Sequence, residues 1–168
     1  MSILIRRAEA QDIPTIEALL QGANVNAGGI AENYSHFLLV EAEQITGDTM
    51  AKEAVGTVGL EVYEGRYGVM RSLVMKNDSW NARIGLELIR LFLAYAETTE
   101  IEELYLLTKS TAAFFIHMGF STADRKSIPT SVAQSPHFSA YADENVTVMV
   151  KRLTSTSYPQ AGVDSVSN

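Results

Sequence analysis

At 168 residues the chain fits one domain that buries about two thirds of its unfolded surface, and no apolar run approaches the roughly 18 to 20 residues that span a bilayer. Twenty acidic against 13 basic residues leave a net charge of -7, which argues against nucleic acid and anionic membranes, since both require a basic face to displace counterions. The absence of cysteine removes disulfides, thiolate catalysis and cysteine-based zinc or iron–sulfur sites.

The start MSILIRRAEA has no basic-then-apolar signal, so a cytoplasmic protein is expected. Residues 2–8, SILIRRA, alternate as a short strand, and Gln11–Leu20 set Ile13, Ile16, Leu19 and Leu20 on one helical face. Gly22–Gly29, with three glycines and two asparagines, has no periodicity. It is a loop of the kind that lines sites, and it leads into a short turn over Ile30–Tyr34. His36–Ala42 and Ala54–Tyr63 are expected to be antiparallel neighbours. The polar connection Glu43–Glu53 is long for a hairpin and is read as an exposed insertion.

After a turn at Glu64–Arg66, an apolar strand over Val69–Met75 passes through a polar turn into a helix reaching Glu97. Ile84, Leu88, Leu91, Phe92 and Tyr95 form one apolar stripe of that helix, with Leu86, Ile89 and Leu93 on another face. Glu103–Thr108 is a buried-type strand, and Ser110 is the expected N-cap of a short helix over Ser110–Met118. Gly119 suits a helix C-cap, and a strand begins at Phe120–Ala123. Pro129 and Pro136 bracket a brief helix or turn before the closing strand Asn145–Leu153. Residues 1–153 make one domain, and 154–168 are a polar tail without a core pattern. The expected fold class is α/β (α+β), a mixed and mostly antiparallel sheet with flanking helices.

This order of elements resembles the GNAT superfamily of acetyl-CoA-dependent N-acyltransferases over residues 3–153. The strings IRRAEAQDIPTIEALL, VGTVGLEVY, MRSLVM, LYLLTKSTAAFFIHMGF and SIPTSVAQSPHFSAYADENVTVMVKRL look most like the branch encoded in arsenic-resistance operons, related to N-acetylglutamate synthase domains. The resemblance implies two splayed parallel central strands, here Val69–Met75 and Glu103–Thr108, with acetyl-CoA between them. It implies cofactor contacts from Leu73, Val74 and Met75 on the first strand and from Asn81, Arg83, Ile84 and Gly85 at the helix start. The family's phosphate loop runs Gln or Arg, two residues, Gly, one residue, then Gly or Ala. The matching positions are Trp80, Asn81, Ala82, Arg83, Ile84 and Gly85, of which the last alone fits. Arg83 brings bulk and a charge that pairs with phosphate, Asn81 tolerates positive φ and caps helices, and Trp80 either stacks on adenine or packs over the loop.

Many members protonate the leaving thiolate with a tyrosine; the matching residue is Phe115, which cannot donate. Acetyl transfer to a small, amino-acid-like amine needs a base, and Glu61, sharing a strand face with Gly59 and Tyr63, is the candidate, against an exposed surface glutamate. Arg71 interrupts an apolar strand and is either a clamp for a substrate carboxylate or an ion-pair partner of a glutamate such as Glu61. Tyr63, Thr108 and Ser110 are candidates for hydrogen bonds near the acyl group, and Tyr105 for packing beside the sheet. His36, His117 and His137 lack the spaced partners of a metal site, so none is expected. The competing expectation is a GNAT-like module without catalysis; a homodimer is compatible with the sheet's open edges.

Overall fold

The computed structural model describes residues 2–76, 82–142 and 145–153. Among these residues seven strands form one sheet in the order β1-β2-β3-β4-β5-β7-β6. They are β1 Ser2–Arg7, β2 Phe37–Thr46, β3 Thr49–Tyr63, β4 Tyr67–Met75, β5 Glu103–Thr108, β6 Ser121–Ala123 and β7 Thr147–Arg152. The helices are α1 Ile13–Gly22, α2 Ile30–Asn33, α3 Ala82–Thr98, α4 Ala112–His117, α5 Thr130–Ala133 and α6 Pro136–Ala140. Antiparallel pairings dominate, and β4 with β5 is parallel. This is the mixed sheet with flanking helices expected above.

The chain divides into two compact units, Met1–Glu61 with Met70–Leu93, and Val62–Val69 with Ala94–Asn168. In the first, β1 pairs β2 from Ser2↔Glu43 to Arg7↔Leu38. A 3-10 turn over Ala10–Asp12 then delivers the chain into α1, with proline in its first turn, where the missing N–H of Pro14 costs no helical bond. Helix α1 buries Ile16, Leu19 and Leu20 against Ala8, Ile30, Phe37, Leu39 and Val74. Each fully buried side chain of this kind contributes about 1.5–3 kcal/mol before entropy is counted.

The expected insertion at Glu43–Glu53 is instead a continuous hairpin: β2 and β3 pair out to Thr46↔Thr49, and Gly47 turns the chain at φ +66°. Its outer pairs, Ile45↔Met50 among them, are exposed, Ile45 at 74% and Met50 at 58%. With no buried face the segment carries no inside–outside alternation to read. Helix α3 buries Leu88, Ile89, Phe92 and Ala96, whereas Leu91 is 40% exposed. The buried stripe therefore lies slightly around the helix from the expected one, and Ala96, too small to stand out in a hydrophobic pattern, completes it.

In the second unit the turn at Glu64 and Gly65, both at positive φ, leads into β4, whose Tyr67–Val69 pair Glu103–Tyr105 of β5. Strand β7 lies between β5 and β6. A core of Val69, Tyr105, Ile128, Val132, Phe138 and Val148 fills this unit. The short helices α5 and α6 follow Pro129 and Ser135; the Ser135 hydroxyl accepts from Phe138 N–H and caps α6.

Candidate active site

Strand β3 presents Glu61 and β4 presents Arg71, and the two close a buried ion pair in the first unit, with Arg71 Nη1 2.7 Å from Glu61 Oε2. Relative exposure is 5% for Glu61 and 3% for Arg71, so Glu61 is not a surface glutamate and Arg71 does not reach water. A guanidinium at this depth must have its donors satisfied by protein. Nε donates to Ser72 Oγ at 2.7 Å, Nη1 also to the Gly28 carbonyl at 2.6 Å, and Nη2 to the Asn26 carbonyl at 2.9 Å. Asn33 Nδ2 donates to the Gly29 carbonyl at 2.9 Å and to Glu61 Oε2 at 3.4 Å.

Local sequence explains why the pair fits. Phe37 lies directly opposite Gly59 in the β2–β3 register, and a Cβ at Gly59 would collide with the phenyl ring. The glycine lets the ring lie flat on the strand, and its face then meets the Arg71 guanidinium 5.9 Å from the ring centre, within cation–π range. Ser72 holds φ +64° in mid-strand, a conformation that costs a non-glycine residue about 1–3 kcal/mol. That twist accompanies the Ser72 hydroxyl's bond to the Arg71 Nε.

Further along β4, Leu73 is 37% exposed and Val74 is buried. Gly56 allows Val74 and Met75 to approach β3: a Cβ there would stand 2.8 Å from the Val74 carbonyl and collide with Met75 Sδ. A cavity of about 690 Å³ lies between α1, Lys52–Ala54 and Val74–Lys76. In α3 Arg83 is exposed, Ile84 half-buried and Gly85 buried, and the first turn holds no acidic residue. Trp80 and Asn81 lie outside the described residues.

Tyr63, Thr108 and Ser110 belong to the second unit. Tyr63 packs, half-buried, against the Val69–Tyr105 core. Thr108 is buried at the end of β5 and its Oγ1 accepts from the Thr111 N–H at 3.1 Å. The expectation of Ser110 as N-cap is thereby corrected: α4 starts at Ala112 behind Thr111, the hydroxyl serving its entry is that of Thr108, and Ser110 is exposed. Phe115 is buried edge-to-face between Phe114 and Phe120, with centroids 5.1 and 5.5 Å away. Tyr105 packs beside the sheet and donates its hydroxyl to Glu103 Oε1 at 2.6 Å; burial, and then that hydrogen bond, push its phenol above the usual range. Among the described residues no three His, Asp or Glu side chains gather in a metal-binding group.

Sequence reasoning found the two charges but not their cradle. Asn26 and Gly28 act through backbone carbonyls, which leave no residue signature. The available signals were a double glycine in an aperiodic loop and an arginine inside an apolar strand.

No family model matches the chain. An uncharacterised Bacillus subtilis protein, YwlB, is 27% identical over 152 residues, covering 89% of this chain and 97% of that one. Among solved structures, N-acetylglutamate synthase from Neisseria gonorrhoeae, complexed with coenzyme A and N-acetyl-glutamate, superposes with a TM-score of 0.69 at 22% identity. That match covers 91% of this chain, which spans only 35% of the synthase chain. An acetyltransferase of the GNAT family from Staphylococcus aureus Mu50 gives a TM-score of 0.64 at 17% identity, covering 90% of this chain and 99% of that one. The fold is that of the GNAT acetyltransferases.

Proposed function

We propose that the chain is an acetyl-CoA-dependent N-acetyltransferase for a small, amino-acid-like amine. The observation that carries this is the buried Glu61–Arg71 pair, a carboxylate and a guanidinium held together on the central strands of a fold shared with coenzyme A-bound acetyltransferases. A buried ion pair contributes little net stability, so chemistry is the better account of its presence at the heart of the sheet.

The described residues suit the cofactor. Helix α3 runs for 17 residues, its first turn carries Arg83 and no carboxylate, and the positive end of a helix dipole beside an arginine suits a diphosphate. Leu73, Val74, Met75, Asn81, Arg83, Ile84, Gly85 and Ser110 would hold acetyl-CoA, whose thioester supplies a carbonyl open to attack by an amine. Glu61 takes the proton from the incoming ammonium group, through water, and Arg71 orients the acceptor by its carboxylate. Tyr63 and Thr108 supply hydrogen bonds at the acyl end. Phe115 has no proton to give, so water or another group protonates the thiolate.

Calorimetric titration with acetyl-CoA tests the assignment, with saturable binding expected; no heat of binding at millimolar cofactor would remove it. Phe115, packed among aromatic rings without a hydroxyl, favours the second reading, a GNAT-fold binding module without catalysis. That module would bind acetyl-CoA or an amino acid and show no turnover. We place the chain nearest the arsenic-resistance-operon branch, acting in the cytoplasm as one domain over residues 1–153, with pairing of two copies through a sheet edge as the proposed assembly.

A further inference from the structure

We infer that Asn26–Gly29 is a gate latched by Arg71, which a carboxylate-bearing acceptor opens by replacing the loop's carbonyls on the guanidinium; this rests on the acetyltransferase assignment above and names the regulation of the same site. Arginine grips a carboxylate best through two parallel N–H groups. Glu61 takes one point of the guanidinium, Nη1 to Oε2, and the Gly28 and Asn26 carbonyls accept from Nη1 and Nη2. The two-point grip is therefore occupied by neutral backbone acceptors. The bonds to the carbonyls are already charge-assisted on the donor side; a carboxylate adds an opposite charge and a planar pair of oxygens matched to the guanidinium fork, and on that ground it competes with the two separate carbonyls.

The loop is built to let go. Asn24 at φ +58° and Gly29 at φ +78° bracket it with left-handed positions, and Asn26, Gly28 and Gly29 are exposed. Its apolar attachment consists of Val25 and Ala27, partly buried on the α1 core. An amine without a carboxylate gains nothing from Arg71 and leaves the latch shut, so the gate selects amino acids over simple amines before chemistry begins.

Hydrogen–deuterium exchange on the full chain tests this. Arg71→Met is expected to raise exchange over residues 24–30 by about tenfold or more while the β1–β2 ladder stays protected, as befits local rather than global opening. Should Arg71→Met alone fail to fold because Glu61 is left unpaired, Glu61→Gln combined with Arg71→Met removes both charges and carries the same expectation. In the unsubstituted protein, L-glutamate and L-methionine are expected to raise exchange over 24–30, and 3-(methylthio)propylamine to leave it unchanged. An unmoved loop in the folded variants, or one that no amino acid loosens, overturns the gate. Reading exchange with and without acetyl-CoA, beside the calorimetry, separates the failures: absent cofactor binding removes the acetyltransferase assignment, whereas a cofactor-binding protein with an unmoved loop removes only the gate.

Discussion

Gly59 is one of the most constrained residues at the site, because its missing side chain is the space that Phe37 fills beneath Arg71. Gly59→Ala must push the ring aside, and overpacking of this kind costs about 1–3 kcal/mol; a denaturant midpoint lowered to match, at unchanged slope, is the expected result. Glu61 behaves differently. Glu61→Ala leaves a guanidinium uncompensated at 3% exposure, and breaking a buried pair costs about 3–5 kcal/mol. Glu61→Gln keeps an acceptor for Arg71 Nη1 and is expected to lose markedly less in the same unfolding experiment. Equal losses would mean that charge rather than hydrogen bonding holds Arg71 in place.

At the scale of elements, Arg6 ties β1 to the entry of α1 and to β2: it donates to both Asp12 oxygens, at 2.9 and 3.0 Å, and to both Glu41 oxygens, at 3.1 and 3.2 Å. The Arg6 hydrogen bond holds the Asp12 carboxyl below its usual range; burial opposes this and the Glu9 N–H assists it. A carboxyl whose folded-state value is depressed contributes stability above its unfolded value, and that contribution is lost as pH falls through the folded value. Unfolding midpoints should therefore fall as pH drops below the ordinary carboxylate range, and more shallowly in Asp12→Asn, which starts less stable at neutral pH. In α3, Phe92→Ala should cost about 3–5 kcal/mol and the half-exposed Leu91→Ala within about 0.5 kcal/mol, which separates the observed stripe from the expected one. Strands and helices with a buried face were legible in the sequence because burial imposes a period, as along α1, where Ile16, Leu19 and Leu20 are buried. The ribbon Glu43–Lys52 was not, since backbone pairing alone builds it, and neither was the cradle of Arg71, built largely from carbonyls that any residue supplies.

Across the whole molecule, Glu61, Arg71, Leu73–Met75 and Arg83–Gly85 all fall in the first unit, so the proposed acceptor pair and much of the proposed cofactor segment belong to one compact body. The proposal gives them different steps, and kinetics can tell them apart. Glu61→Gln removes the proposed base while leaving the α3 terminus untouched; general-base losses run to about 10²–10⁴-fold, expected here in kcat with the KM for acetyl-CoA unchanged. Arg83→Glu sets a carboxylate in the first turn of α3, against both the helix dipole and a diphosphate. Its effect should appear as a rise of about tenfold in that KM, with kcat nearly constant, because it removes binding shared by ground and transition states. The protein's net charge of -7 makes this local cation matter more, since a polyanionic ligand approaching an acidic surface depends on the few positive groups it meets. If Arg83→Glu lowers kcat and leaves the KM alone, the start of α3 does not hold the cofactor, and the proposed role of Arg83 falls.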